Sequence, residues 1–88
     1  MLTYPVIVTS YKGATDTKGS RIAAVHKRDS EKTYRASIPY PHDFSGAAAH
    51  YQAALALAAK LPFYDGAGKV QPFGHDHDHY YFIVVDPA

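Results

Sequence analysis

Three groups of residues carry chemistry by type and spacing, and the densest is His75-Asp76-His77-Asp78-His79. In an extended chain residues i, i+2 and i+4 share a face, which would set three imidazoles in a row about 6–7 Å apart. Neighbouring rings in such a row can chelate a divalent transition metal such as zinc, nickel or copper. A working site would also need an outer partner for each ring. The plainer use of the same residues is a solvated polar loop leading into a strand. Apart from that metal, nothing in the sequence calls for a cofactor.

The second group is the turn Gly13 to Arg21, where backbone amides lie beside Lys18, Ser20 and Arg21 and could hold a phosphate. It lacks the spacing of a phosphate loop and no helix follows it, so it is not a nucleotide-binding P-loop. As a purely structural element it is a good hairpin turn. The third group is a set of cations, Lys12, Lys18, Arg21, Lys27 and Arg35, interleaved with some of the eight tyrosines. On an open sheet, basic residues among aromatics can grip phosphates and stack bases. Tyrosines serve equally well as core and rim packing, and no RNP-like motif accompanies these.

Catalysis leaves no comparable trace. None of Ser10, Ser20, Ser30, Ser37 and Ser45 sits in a nucleophile elbow. No two carboxylates are spaced for acid–base work, and His26, His42 and His50 are scattered. The residues point away from an enzyme and towards a binding protein.

The elements that must position these groups are legible from alternation. Tyr4 to Tyr11 is rich in β-branched and aromatic residues and reads as a strand. Arg21 to Lys27 follows as a second strand, and the charged run Arg28 to Lys32 as a turn. Thr33 to Tyr40 places Tyr34, Ala36, Ile38 and Tyr40 on one face and Arg35 and Ser37 on the other, as a sheet with one covered face requires. Pro39 and Pro41 end it, since neither can donate to a ladder. A helix is then expected from Gly46 to Leu61, capped by Asp43 or Ser45 and stopped by Pro62. Its packing stripe is expected at Tyr51, Ala54, Leu55, Ala58 and Leu61, with His50 one residue before it. After a loop with an extended piece near residues 69–73, His79 to Asp86 is apolar on both faces and belongs inside the sheet. The expected fold is α+β, a small antiparallel sheet on one helix in the order β-β-β-α-β, forming a single domain over residues 1–88.

Composition bounds what such a domain can be. At 88 residues there is room for one core, which makes a deep pocket for a large cofactor improbable. There is no cysteine, hence no disulfide framework and no thiolate metal site. The N-terminal MLTYPVIVTSYKG has neither a basic leader nor a long apolar segment, so no signal peptide is expected. No apolar run approaches the roughly 20 residues of a membrane span, and a soluble protein of the cytoplasm is expected. The net charge of +1 hides an asymmetry: residues 1–42 carry a net +4 and residues 43–88 a net −3. The basic half fits a polyanionic partner, and the plain alternative is two solvated faces of opposite sign.

The string ATDTKGSRIAA, preceded by TSYKG and followed by a strand and the helical AAHYQAALALAAKL, adds a resemblance. It resembles a group of short uncharacterised proteins encoded by bacteriophages and other bacterial mobile elements, with a T-N-T-R-G-S-R-I-type hairpin and a histidine in an alanine-rich helix. The match covers roughly residues 9–61 and is most specific at Thr15, Thr17, Gly19, Ser20, Arg21, Ile22 and His50, with Asp16 and Lys18 in place of Asn and Arg. Leu61-Pro62-Phe63 departs from the expected glycine-tryptophan, and the histidine cluster lies outside the match. The resemblance implies a bacterial cytoplasm and a small accessory protein that works by binding. It also draws attention to Arg21 and His50, which would meet if the helix crossed the second strand.

The sequence thus leads to a non-enzymatic binding protein contacting nucleic acid or a host protein through Lys12, Lys18, Arg21, Lys27 and Arg35. Its alternatives are a metal-binding protein built on His75, His77 and His79, or an oligomerisation module pairing as a homodimer through an edge strand. The helix is expected to be the inert side.

Overall fold

The computed structural model describes residues 4–15, 19–27, 31–41, 43–44, 46–61 and 70–85. Five strands, β1 (Val6–Lys12), β2 (Arg21–Lys27), β3 (Thr33–Pro39), β4 (Val70–His75) and β5 (His79–Val84), form one antiparallel sheet in the order β3-β2-β1-β5-β4. A single helix, α1 (Ala47–Ala58), enters between β3 and β4 and covers one face, so the fold is α+β. Among the described residues no helix is long and apolar enough to cross a membrane.

Strand alternation decides what the helix covers. Ile7 and Thr9 of β1, Ile22, Ala24 and His26 of β2, Ala36 of β3 and Phe82 and Val84 of β5 point beneath α1 and are buried. Ile7, Ile22, Leu57, Phe82 and Val84 are the largest apolar side chains fully withdrawn from water, each contributing on the order of 1.5–3 kcal/mol by transfer. Between them the interface is alanine on both sides, Ala24 and Ala36 from the sheet against Ala49, Ala53, Ala54 and Ala58 from the helix. Small side chains there let the helix backbone sit close over β2 and β3. The Tyr51 hydroxyl donates to the Val70 carbonyl at 3.1 Å and ties the helix to the start of β4.

The structure corrects three sequence readings. The buried helix face is Ala49, His50, Ala53, Ala54, Leu57 and Ala58, whereas Tyr51 and Leu55 are only partly buried at its margin. The expected stripe is therefore rotated, because eight alanines leave the pattern almost no contrast to mark its centre. The N-cap is Gly46, without a side-chain cap bond and without an acidic residue in the first turn; Asp43 is exposed, and Ser45 lies outside the described residues, as does Pro62. The extended piece near residues 69–73 is a full fifth strand, which makes β5 an interior strand between β1 and β4, as its two apolar faces require.

The two sheet edges differ. β4 carries Pro72 and a register shift between Pro72 and Gly74 that leaves Phe73 unpaired and 73% exposed. Such interruptions discourage pairing with another chain. β3 is regular through seven paired residues and ends at Pro39.

Candidate functional site

The uncovered face of the sheet collects the basic residues. Because Ile22, Ala24 and His26 point to the helix, Arg21, Ala23, Val25 and Lys27 point away from it, and β1 and β3 alternate in the same way. Lys12 stands opposite Arg21, Ser10 opposite Ala23, Ala23 opposite Ser37, and Val25 opposite Arg35. The result is a groove of about 510 Å³ lined by Lys12, Arg21, Arg35 and Lys60 around a floor of Ser10, Ala23 and Ser37. Val25 lies four positions on from Arg21, so the Lys12–Arg21 row and the Arg35 row are about 13 Å apart. Small side chains between two cationic rows are what gives the groove its depth.

Its electrostatics are unbalanced. Strands β1, β2 and β3 carry no carboxylate, and none of Lys12, Arg21, Lys27, Arg35 and Lys60 has an ion-pair partner among the described residues. Like charges directly opposite across a ladder repel, as Lys12 and Arg21 do here. In addition, Nη1 of Arg21 is shut off from solvent and has no acceptor among the described residues. A cationic nitrogen withdrawn from water without a partner is costly, and an anion in the groove would offset part of that cost through the guanidinium's charge.

Of the five cations read from sequence, Lys12, Arg21 and Arg35 come together in this groove. Lys27 shares the face but lies one row beyond the groove, and Lys18 lies outside the described residues. Lys60 was missed, because a lysine just after a helix gives no hint that it will meet β3. The expected interleaving with tyrosines does not occur in the groove: Tyr34, Tyr40 and Tyr80 pack against the core on the helix side, as does Tyr51 from the helix itself. On the uncovered face Tyr81 is engaged with Asp76, its hydroxyl donating to Oδ2 at 2.7 Å.

Arg21 and His50 do not share a cavity. The ring of His50, only 7% exposed, lies beneath the sheet's other face, with 2.7 Å between Nδ1 and Oγ1 of the fully buried Thr9. It stacks on Tyr80, centroids 4.3 Å apart, and Tyr80 in turn stacks on His75 at 5.2 Å. Burial pushes the His50 pKa below its ordinary value, so the ring is held neutral. Whichever tautomer it adopts, one proton lies between Thr9 and Nδ1, and Nε2 remains for a cavity of about 490 Å³ lined by Tyr11, Ser20, Tyr40, Gly46, His50 and Tyr80. The helix side is therefore not featureless.

The histidine cluster forms a hairpin in place of an extended row. The Asp76 N–H donates to the His79 carbonyl at 2.9 Å, and His77 and Asp78 form the tip. Asp76 Oδ1 accepts from the amides of Asp78 and His79, at 2.9 and 2.8 Å. The bond from the Tyr81 hydroxyl, followed by these two from the amides, holds the Asp76 carboxyl down to a pKa of about 2. Reversal of the chain separates the three rings: His75 lies against Tyr80 on the helix side, His77 is 98% exposed at the tip, and His79 lies beside Tyr81. No group of three metal-ligating side chains occurs among the described residues.

No family model matches the chain, and comparison with curated proteins and with solved structures finds no match.

Proposed function

We propose that this chain is a nucleic-acid-binding protein that holds phosphates in the basic groove of its uncovered sheet face. The observation that carries the reading is Arg21 facing Lys12 across the ladder, in a groove whose described lining holds four cations and no carboxylate. Phosphate oxygens supply the opposing charge and accept from the accessible donors of the four cations, and the hydroxyls of Ser10 and Ser37 add neutral donors. Contacts of this kind position a backbone and read no base, so binding is independent of sequence. The hairpin resemblance at Thr15 to Ile22 is the ground for including a phage or mobile-element accessory role in the proposal.

Fluorescence anisotropy with labelled oligonucleotides tests it. Wild-type protein is expected to bind at 50 mM salt and to weaken steeply by 200 mM, and the double variant Arg21→Glu/Arg35→Glu to lose binding at both. Absence of binding at 50 mM, or binding unchanged in the double variant, overturns the proposal. In that event an acidic protein partner becomes the occupant to pursue by pull-down.

A further inference from the structure

We infer that the tyrosine-lined cavity beside His50 receives one unpaired nucleobase of the strand whose phosphates lie in the basic groove, which makes the protein a binder of single strands. The inference rests on the groove being the phosphate site, and adds to it what the rest of the nucleotide does.

Three cavities form one track around the end of the sheet. The groove shares Arg21 and Ser37 with a notch of about 390 Å³, whose lining also includes Gly19, Ser20, Ile38 and Pro39. The notch in turn shares Ser20 with the tyrosine-lined cavity. The cause is strand alternation in the last two rows of the sheet. Lys12 and Arg21 point to the uncovered face, while their neighbours Tyr11 and Tyr40 flank the helix face. Gly19 and Ser20 form the rim between the two faces, and no described residue has an atom within 4 Å of where a side chain on Gly19 would begin. A strand crossing this rim meets cations first and aromatic rings next.

The cavity suits a base better than a second phosphate. Among the described residues no lysine or arginine lines it, and its size lies within the ~300–1,000 Å³ of small-molecule sites. Tyr11 and Tyr40 meet edge to face, centroids 5.8 Å apart and planes at 81°, so at least one ring offers a face. Tyr11 is 54% exposed and lines the cavity, so its ring is open to an incoming base. His50 and Ser20 line the same cavity, and Nε2 of the one and the hydroxyl of the other are polar groups for the hydrogen-bonding edge of a base. In a duplex that edge is paired and the faces are stacked, so only an unpaired base can enter.

The test compares a short single-stranded oligonucleotide with a duplex of the same length, using wild type, Tyr11→Leu, His50→Gln and Arg21→Glu/Arg35→Glu. Tyr11 is largely exposed, so its replacement leaves the core intact. Tyr11→Leu is expected to weaken single-strand binding by roughly 5- to 100-fold, the range of one lost stack, and to leave duplex binding unchanged. A 2-aminopurine in the single strand is expected to change fluorescence on binding to wild type and not to Tyr11→Leu. Equal affinity for the two nucleic acids, or single-strand binding untouched in both Tyr11→Leu and His50→Gln, overturns the base site while the groove stands. Wild-type protein that binds neither nucleic acid, or binding that survives the double arginine variant, overturns the groove reading and this one with it.

Discussion

Thr9 Oγ1 and His50 Nδ1 lie 2.7 Å apart, joining the centre of the sheet to the first turns of the helix across 41 residues of chain. Thr9 is fully buried and His50 nearly so, and the contact therefore fixes where the helix begins over β1. Thr9→Val keeps the shape but leaves a buried ring nitrogen without its partner, at a cost of about 1–3 kcal/mol. For a domain of this size the melting temperature should fall by roughly 5–20 °C. Thr9→Ser, which keeps the hydroxyl, should stay near wild type. Thermal unfolding followed by circular dichroism distinguishes them, and a Thr9→Val protein as stable as wild type would refute the tether.

The same ring sets a pH dependence. Burial lowers the His50 pKa below its ordinary 6.5, so the unfolded chain takes up the proton first as pH falls. The stability that neutral His50 contributes is complete above pH 6.5 and is lost as pH drops through the lower folded value. Melting temperatures measured from pH 8 to 5 should therefore decline more steeply for wild type than for His50→Gln. Parallel profiles would show that His50 does not titrate differently in the two states.

Much of this architecture was legible in the residues, and the failures have physical causes. The alternation of Tyr34, Ala36 and Ile38 against Arg35 and Ser37 announced a half-covered strand, and the structure has it so. The strand Arg21 to Lys27 keeps its expected bounds, and strand parity alone puts Arg21 and Arg35 on one face, whereas Lys12 joins them because β1 runs one residue past its expected end at Tyr11. The helix face was misread because alanine packs at any angle, and the signal that His50 lies inwards was a polar residue with no apolar contrast around it. The histidine row failed because alternation holds only while the chain stays extended. Asp76, whose side chain accepts from the amides two and three residues on, is the turn former that reverses it. Lys60 and the cavity behind Ser20 depend on how the helix and sheet meet, which no local pattern encodes.

Gly46 precedes the helix at φ 56° and ψ −133°, in a region that L side chains rarely adopt. Space is not what excludes a side chain there, since the nearest atom to an added Cβ, the Tyr80 hydroxyl, is 3.8 Å away. Gly46→Ala should therefore cost about 1–3 kcal/mol through backbone strain alone. Gly74 has neither a positive φ nor any atom within 4 Å of an added Cβ. Gly74→Ala should be neutral or stabilising by up to ~1 kcal/mol, through the unfolded chain. Denaturant midpoints of the two variants measure the contrast; equal effects would mean that the positive φ of Gly46 carries no cost.

Asp76 and Tyr81 should report on each other. The bond from the Tyr81 hydroxyl to the Asp76 carboxylate raises the phenol's pKa above its ordinary 10.0 and helps hold the carboxyl down to about 2. In Asp76→Ala one tyrosine should titrate at a lower pH than in wild type, visible in ultraviolet absorbance. The amides of Asp78 and His79 should also exchange faster with solvent. In wild type the sign is that of a depressed carboxyl: the turn's bonds are complete above pH 3.8 and are lost as pH falls through about 2. An unchanged tyrosine titration would remove this bond from the account of the hairpin.

Salt dependence separates the groove from the rest of the basic face. Each phosphate neutralised on a single strand adds about 0.7 to the slope of log affinity against log salt. Lys12, Arg21, Arg35 and Lys60 together line the groove, so a strand meeting all four should show a slope near −3. Lys12→Gln and Lys60→Gln should each reduce it by about 0.7. Lys27 points to the same face from beyond the groove, so Lys27→Gln should leave the slope nearly unchanged. If Lys27 and Lys12 prove equivalent, binding follows the diffuse charge of the face, and the groove formed over Ser10, Ala23 and Ser37 has no part in it.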